Sequence, residues 1–210
     1  MAKTLHLPKL YAILDVMCFA PQLRTTNSIV EFARDLSEGG VTLLQYRNKE
    51  GDTRQMLKHA REIKRVLEGK VTLIMNDRAD LCVALDFDGV HLGQDDLPAD
   101  GARLVVGERI VGVSTHNPQQ VKEADAGLAD YIAIGPVFPT TGKKNPAALV
   151  GLEGVRKARA ATRKPLVAIG GITRQNAKSV IDAGADSLAV ISDLLSSPRR
   201  AAEEFLRLFV

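Results

Sequence analysis

The segment Gln45–Lys49, with the sequence QYRNK, places an amide and two cations at alternating positions. Side chains alternate across a β-strand, so Gln45, Arg47 and Lys49 would share one face if a strand ends here. Burying such groups is costly unless a partner meets them. The planar fork of arginine matches phosphate oxygens and lysine adds a compact charge, so the segment predicts a phosphate site. The alternative is that the strand ends earlier and these side chains only reach solvent.

Two acidic motifs follow the next two apolar runs. Asp77 lies in NDR (residues 76–78) and Asp96 in GQDD (residues 93–96). Each has a plain explanation, because Asn and Asp favour helix N-caps and acidic pairs in loops are usually solvated. On adjacent parallel strands, however, the two carboxylates would meet near the cations of the segment 45–49. Mg²⁺ typically takes one or two carboxylates together with substrate phosphate oxygens, so the pair predicts a magnesium site.

Polar residues also follow the fifth and sixth apolar runs. Ser114 comes directly after the run Ile110–Val113 and could orient a ligand, or it could belong with His116 to a turn that caps the next helix. The sixth run leads into a loop from Gly135 to about Val150, whose first ten residues read GPVFPTTGKK. Glycines, hydroxyls and lysines in a long loop at a sheet edge predict a further anion site and a mobile lid.

The stretch Leu166–Ser192 has the pattern of strand, glycine turn, helix and strand. Its paired glycines, Gly170-Gly171, would let the backbone approach a ligand closely, and the free N–H groups at the helix start favour an anion. In an eight-fold βα barrel, the loops after the seventh and eighth strands often bind phosphate. The plain alternative is that the two glycines form only a tight turn.

Eight apolar runs that alternate with helical patterns must position these residues. Strands are predicted at 10–14, 41–46, 71–75, 89–92, 110–113, 131–134, 166–169 and 188–191. Helices are predicted at 29–36, 52–67, 80–85, 99–105, from 117, 154–161, 173–183 and 198–209. Such alternation predicts parallel pairing and, at this length, one (β/α)8 TIM barrel domain over residues 1–210. An open doubly wound sheet is the alternative, but LDVMCFAP after the first strand lacks its glycine-rich nucleotide fingerprint.

Composition argues against several classes of function. A net charge of +3 and 4% aromatic residues give little basis for binding nucleic acid. We expect no signal peptide and no membrane span, because the N-terminus lacks an apolar h-region and no apolar run is long enough. These features predict a cytoplasmic protein without a nucleic-acid or membrane partner. A homo-oligomer is compatible with this composition.

The cysteines and histidines suggest no metal centre of their own. Cys18 and Cys82 match no ligand spacing and are predicted to be free thiols in a reducing compartment. His6 and His59 are predicted at the surface. His91 lies inside the fourth strand, where a hydrogen-bonded role is expected rather than metal ligation.

Taken together and in order, these motifs resemble the thiamine phosphate synthase family, from Tyr11 to about Leu195. The resemblance implies a (β/α)8 barrel transferase that releases diphosphate with Mg²⁺ as cofactor. It would join 4-amino-2-methyl-5-(diphosphooxymethyl)pyrimidine to a thiazole phosphate. A dissociative substitution of this kind needs charge stabilisation and positioning more than a strong base.

The resemblance also implies roles for individual residues. It implies Asp77 and Asp96 as the magnesium ligands. The contacts it implies to the pyrimidine diphosphate are Gln45, Tyr46, Arg47, Asn48, Lys49, Asn76, Ser114 and Lys143. Those implied for the thiazole phosphate are Thr140, Thr141, Gly142, Gly171, Ile191 and Ser192. Among all of these, the implied catalytic residues are Arg47, Lys49, Ser114 and Lys143.

One position departs from the family pattern. The T-x-T-K motif falls on residues 140–143, and Gly142 stands where threonine is expected. The departure puts the hydrogen bonding of this loop in doubt, although the hydroxyl of Thr141 next to it could compensate.

Three other interpretations remain open. A thiazole tautomerase related to this family would share the barrel and could use His116 to move a proton, but it has no need for Asn76, Asp77 and Asp96. A different phosphate-binding barrel enzyme, such as an isomerase or epimerase, is the second. A non-catalytic binding or scaffold protein is the third, although a barrel mouth so rich in charge suits it poorly.

Overall fold

The computed structural model describes residues 5–67, 69–140 and 148–209, and within them eight parallel strands form a closed barrel. The strands are β1 (Leu10–Asp15), β2 (Leu43–Arg47), β3 (Thr72–Asn76), β4 (Gly89–Leu92), β5 (Ile110–Thr115), β6 (Tyr131–Ile134), β7 (Leu166–Ile169) and β8 (Ser187–Val190). Each strand pairs with the next, and β8 returns to pair with β1, where Leu188 faces Leu10. The predicted barrel is therefore confirmed, and the open-sheet alternative is excluded.

A helix follows each strand and covers the outside of the barrel. The helices are α1 (Thr26–Glu38), α2 (Thr53–Leu67), α3 (Ala79–Ala84), α4 (Ala99–Val106), α5 (Pro118–Ala126), α6 (Gly151–Ala161), α7 (Ala177–Asp182) and α8 (Pro198–Arg207). Short 3-10 turns lie at Val16–Cys18, Pro21–Leu23 and Ser192–Leu194. Helix α7 begins later than predicted, because the side chain of Asn176 accepts the N–H of Thr173 and closes a turn before the helix.

Alternating residues along the strands supply two separate hydrophobic cores. On β1, for example, Leu10, Ala12 and Leu14 pack outward against helices, whereas Tyr11 and Ile13 point into the barrel. Both faces of the sheet are therefore buried, as expected for parallel strands between a ring of helices and a filled interior. The interior cluster consists of Tyr11, Ile13, Leu43, Ile74, Tyr131, Ala133, Val167 and Ala189.

One helix residue differs from its predicted place. His59 of α2 is buried, with 2% of its surface exposed, and its Nδ1 lies 3.1 Å from the hydroxyl of Tyr46. The prediction that His59 lies at the surface was wrong. Burial, with a smaller effect of Lys58, lowers the pKa of His59. His6 is exposed, and Cys18 and Cys82 are free thiols, as predicted.

The helices of the described residues were also compared with the requirements of a membrane span. None of them is both long enough and apolar enough to cross a bilayer. The cytoplasmic location stays a prediction.

The barrel interior predicts a sensitive position at Gly112 of β5. A Cβ placed there would lie 2.0 Å from Cζ of Tyr131, so the ring fills the space that a side chain would need. Gly112→Ala is therefore expected to lower the free energy of unfolding by about 1–3 kcal/mol through overpacking. Urea unfolding measures this change. Gly127→Ala is the control, because the nearest atom to its added Cβ is 3.4 Å away, and equal losses in both variants would contradict the packing argument.

Candidate active site at the carboxyl ends of the strands

Lys49, Asp77 and Asp96 come together at the rim where β2, β3 and β4 end. Nζ of Lys49 lies 2.5 Å from Oδ2 of Asp77 and 4.0 Å from Oδ1 of Asp96. The two acidic side chains are only 18% and 21% exposed. One cation thus contacts two partly buried carboxylates, as expected if neighbouring parallel strands end at one edge.

The two carboxylates influence each other's protonation. Burial first, and then the neighbouring Asp96, raises the pKa of Asp77 to about 6. Burial also acts to raise the pKa of Asp96, but hydrogen bonds from Asp77 and from the N–H of Gly93 outweigh it and lower that pKa. Two carboxylates this close repel each other when both are charged, so a cation between them is favoured.

The donor set fits Mg²⁺. No cluster of three or more His, Cys, Asp or Glu side chains suited to a metal occurs in the described ranges. Two carboxylates match the number of protein ligands that Mg²⁺ usually takes, since water and substrate phosphate oxygens would fill its other positions.

The backbone of Asp77 is held in an uncommon conformation. Its φ of 62° lies in the left-handed region, which costs an L-residue about 1–2 kcal/mol but is tolerated best by Asn and Asp. The N–H of Asp77 donates to the carbonyl of His91 at 2.8 Å, and this bond holds the turn at the end of β3. The N-cap of α3 is Arg78, without a side-chain cap, so neither Asn76 nor Asp77 serves the capping role considered above.

Arg47 forms an ion pair with Asp15, a residue that the sequence analysis missed. Asp15 is 2% exposed and also accepts the N–H of Met17 at 3.1 Å. The strand register places Asp15 directly beside Arg47, and alternation after Tyr11 and Ile13 turns it inward. That alternation was the available signal. One guanidinium nitrogen contacts Asp15, which leaves other N–H groups of Arg47 for a ligand.

Tyr46 and Asn48 lie on the other face of the QYRNK segment. The Tyr46 hydroxyl meets His59 between β2 and α2. Nδ2 of Asn48 donates to Gln55 at 3.3 Å, and its Oδ1 accepts the N–H of Gly51 at 2.9 Å. The structure therefore does not bring these two residues together with the cations of the segment; they hold the start of α2.

A continuous chain of hydrogen bonds crosses the barrel below the rim. Nε2 of Gln45 lies 2.8 Å from the hydroxyl of Tyr11, which lies 2.9 Å from the hydroxyl of Tyr131. Tyr131 in turn lies 2.9 Å from Nδ1 of His91, and Nε2 of His91 lies 2.9 Å from Oγ of Ser114. The hydrogen-bonded role predicted for His91 is confirmed. Tyr11 and Tyr131 were missed, because in the sequence they read as ordinary core residues near strand starts.

Ser114 lies within β5 rather than in the turn that follows. The cap of α5 is Asn117, whose side chain accepts the N–H of Gln120 at 3.0 Å. His116 belongs to that turn, since its N–H donates to Oε1 of Gln120 at 2.7 Å and its Nδ1 lies 2.5 Å from the carbonyl of Gly135. Of the two residues, only Ser114 thus joins the polar chain inside the barrel.

The loops after β6 and β7 pack closely at the two paired glycines. Gly170 has φ 103° and Gly171 has φ 62°, and a Cβ on Gly171 would lie 2.5 Å from the carbonyl oxygen of Pro139. The N–H of Phe138 donates to Gly170 at 3.0 Å. The two glycines therefore do form a tight turn, and the neighbouring loop leaves no space for a side chain there. A ligand-binding role is compatible with it, since the hydrogen bonds of the described residues leave the N–H groups of Gly171 and Ser192 unused.

Arg174 links the loops after β7 and β8. Its N–H and its Nε both lie 2.9 Å from Oδ2 of Asp193, and its guanidinium also contacts Glu204 of α8. These contacts fix Gly171 relative to Ser192, where the 3-10 turn begins. Thr140 is partly buried at the end of the second described range, and Thr141, Gly142 and Lys143 lie outside the described residues.

A cleft of about 750 Å³ opens at the opposite end of the barrel. Its walls include Lys64, Asp86 and Arg109, and Asp86 lies 2.8 Å from Lys64 and 2.9 Å from Arg109. The single carboxylate of Asp86 thus pairs with both cations. Active sites of TIM barrels lie at the carboxyl ends of the strands, so we assign the reaction to that end.

The model of the thiamine monophosphate synthase family matches residues 11–194. The chain belongs to this family. The match begins in β1 and ends in the 3-10 turn after β8, so it includes every strand and both ends of the site described above. Its curated relatives are thiamine-phosphate synthases, and the chain is accordingly a transferase enzyme.

Relatives and solved structures agree with the family assignment. The thiamine-phosphate synthase of Koribacter versatilis (strain Ellin345) is 59% identical over 209 residues, which cover 99% of each chain. That of Chloroflexus aurantiacus is 46% identical, covering 83% of this chain and 80% of the relative. The thiamine phosphate pyrophosphorylase of Pyrococcus furiosus superposes with a TM-score of 0.84 at 35% identity, covering 95% of this chain and 94% of that one. The tautomerase alternative is not favoured.

Proposed function

We propose that this enzyme condenses 4-amino-2-methyl-5-(diphosphooxymethyl)pyrimidine with a thiazole phosphate to give thiamine phosphate and diphosphate. The observation that carries the proposal is the contact of Lys49 with both Asp77 and Asp96 at the rim. A site for a divalent cation and a leaving diphosphate accounts for this arrangement of charge, and an isomerase of a monophosphate has no need of it.

For this reaction the protein has two main tasks, which are to stabilise charge and to hold two substrates in position. The bond between the pyrimidine methylene and the diphosphate oxygen breaks, and the leaving group takes the electron pair. The aminopyrimidine stabilises the resulting cation, and the lone pair of the thiazole nitrogen then forms the new C–N bond. Because this nucleophile is neutral, no strong base is required, and positioning and electrostatics supply the rate.

The pyrimidine diphosphate would occupy the side of the rim formed by β2 to β5. Arg47 and Lys49 neutralise the diphosphate, with Lys143 of the sixth loop as the third cation. Gln45 and Ser114 orient the pyrimidine ring, and Asn76, buried at the end of β3, contacts the same substrate.

Asp77 and Asp96 would hold Mg²⁺. When bound, Mg²⁺ supplies positive charge that stabilises the diphosphate as a leaving group. The protein's own part is to keep the two carboxylates adjacent, through the left-handed turn at Asp77 and the bond from the Gly93 N–H to Asp96 at 2.7 Å.

The thiazole phosphate would bind at the loops after β7 and β8. The backbone N–H groups of Gly171 and Ser192 would form a cradle for its phosphate, next to Ile191. Thr140, Thr141 and Gly142 of the family motif would contact the same substrate.

A product assay tests the proposal. The purified protein with both substrates and MgCl₂ is expected to form thiamine phosphate and diphosphate in equal amounts, and omission of either substrate should abolish both products. Chromatography and a coupled diphosphate assay measure the two yields. If thiazole phosphate is converted to a tautomer without the pyrimidine substrate, and no thiamine phosphate forms, the tautomerase alternative is correct.

A further inference from the structure

Five side chains from five strands form the hydrogen-bonded chain inside the barrel. Its two ends are Gln45 and Ser114, the residues proposed above to orient the pyrimidine ring. The three residues between them are Tyr11, Tyr131 and His91, to which no role has yet been given. The chain therefore connects two substrate contacts on opposite walls of the barrel through residues that lie below the substrate.

The two tyrosines each carry one hydrogen at neutral pH. Tyr11 and Tyr131 are almost completely buried, and burial is the largest cause that raises the pKa of each phenol far above its ordinary value. Each hydroxyl can therefore donate one hydrogen bond and must accept the other. A chain built in this way has a direction, because every link depends on the link before it.

The direction can be followed from the amide end. Nε2 of Gln45 donates to the oxygen of Tyr11, so Tyr11 must donate to Tyr131. Tyr131 then donates to Nδ1 of His91, so a ring that carries a single hydrogen must carry it on Nε2, toward Ser114. Ser114 accepts this bond, and its own hydrogen is left to donate to a ligand. The opposite direction would turn the amide of Gln45 around and leave Ser114 only as an acceptor.

The rings are packed so that the chain cannot easily rearrange. The absence of a side chain at Gly112 makes room for the hydroxyl end of Tyr131. Tyr131 stacks on His91 with ring centroids 5.5 Å apart and an angle of 20° between the planes. Tyr11 meets Tyr131 edge to face, at 6.0 Å and 77°. Each hydroxyl is thereby held within bonding distance of its neighbours.

We propose that Tyr11, Tyr131 and His91 are positioning residues that impose one hydrogen-bond direction on Gln45 and Ser114. In this direction Gln45 presents its amide oxygen, an acceptor, and Ser114 presents its hydroxyl hydrogen, a donor. An aminopyrimidine supplies the complementary pair, because its amino group donates and its ring nitrogen accepts. A pyrimidine with an oxo group in place of the amino group offers the wrong pattern. The inference rests on the proposed function, and it adds the means by which the substrate's amino group is recognised.

Histidine nitrogen NMR tests the direction without any turnover. In ¹⁵N-labelled protein without substrate, at about pH 8 where an ordinary histidine is neutral, His91 is expected to carry its hydrogen on Nε2. In Tyr131→Phe the acceptor at Nδ1 loses its donor, so the spectrum should show a mixture of the two tautomers. A hydrogen found on Nδ1 in the wild-type protein would overturn the proposal, whatever reaction the enzyme catalyses.

Equilibrium binding tests the consequence for the substrate. Titration calorimetry is expected to give a Kd for the aminopyrimidine diphosphate that rises roughly five- to ten-fold in Tyr11→Phe and Tyr131→Phe. The Kd for the thiazole phosphate should not change. The ratio of the Kd of the oxo analogue to that of the aminopyrimidine diphosphate should become smaller. The control is His59→Leu, which removes a comparable buried bond between a tyrosine hydroxyl and Nδ1 outside the barrel interior.

The two measurements separate the inference from the proposed function. If the tautomer is as expected and the wild-type protein forms no thiamine phosphate, the product assay has failed and the direction of the chain stands. If both phenylalanine variants bind the aminopyrimidine as tightly as the wild type, or lose affinity for both substrates alike, the positioning role is wrong.

Discussion

Replacing Asp77 by asparagine is expected to lower turnover at least about a hundred-fold, the loss typical of removing one group that stabilises charge in the transition state. The side chain keeps its size and its hydrogen-bonding capacity, but it can no longer act as an anionic ligand beside Asp96. Asparagine also tolerates the φ of 62° at this position, so the fold should be unaffected. Without Mg²⁺, the free energy of unfolding should be unchanged or higher, because one of two adjacent like charges is removed.

Binding of inorganic diphosphate reports on the same site without the full reaction. In the wild-type enzyme, MgCl₂ is expected to tighten diphosphate binding, and EDTA should abolish turnover until MgCl₂ is added in excess. In Asp77→Asn and Asp96→Asn the effect of MgCl₂ should be largely lost. Asp80→Asn is the control, because Asp80 lies three residues away on the surface and pairs with Arg78. A wild-type rate that survives excess EDTA would show that the metal role is wrong.

The sequence was sufficient to predict the convergence of Lys49, Asp77 and Asp96. Each follows an apolar run, the runs alternate with helices, and parallel strands end at one rim. The predicted pair of cations on one face was correct for the same reason, since Tyr46 and Asn48 alternate to the other face.

The spacing of apolar residues in α2 indicates that His59 is buried. The buried residues of α2 include Met56, His59, Ala60 and Ile63, which follow the three- and four-residue spacing of one helix face. The polarity of histidine favours the surface, but the position of His59 on this stripe indicates burial. Its ring is accommodated because the hydroxyl of Tyr46 supplies a partner.

The chain through Tyr11 and Tyr131 could not be predicted in this way. The two hydroxyls meet across 120 residues of sequence, and their distance depends on barrel closure and on the missing side chain at Gly112. Periodicity shows which residues point inward but not which of them touch. Asp15 is an intermediate case, because alternation turns it inward while only the β1–β2 register places it beside Arg47.

Arg47→Gln is expected to affect stability and function together, and a second substitution separates the two effects. Asp15 is buried, so removing the guanidinium leaves its negative charge without a cation to balance it. Breaking a buried ion pair costs about 3–5 kcal/mol, and the 16% exposure of Arg47 brings the expected loss of unfolding free energy to roughly 2–3 kcal/mol. Affinity for the pyrimidine diphosphate should fall at least about ten-fold, because a charge-assisted bond to phosphate is lost.

In Asp15→Asn/Arg47→Gln both charges are gone, and two amides can hydrogen-bond to each other in the same place. Urea unfolding should then show most of the lost stability restored, whereas calorimetry should show diphosphate affinity as weak as in the single variant. The surface pair of Arg78 and Asp80 is the control, because Arg78→Gln should change stability by less than about 1 kcal/mol. If the double variant regains wild-type affinity, Arg47 acts only by neutralising Asp15. If stability recovers and affinity does not, Arg47 binds the substrate directly. The role of Asp15 is then to hold Arg47 in place.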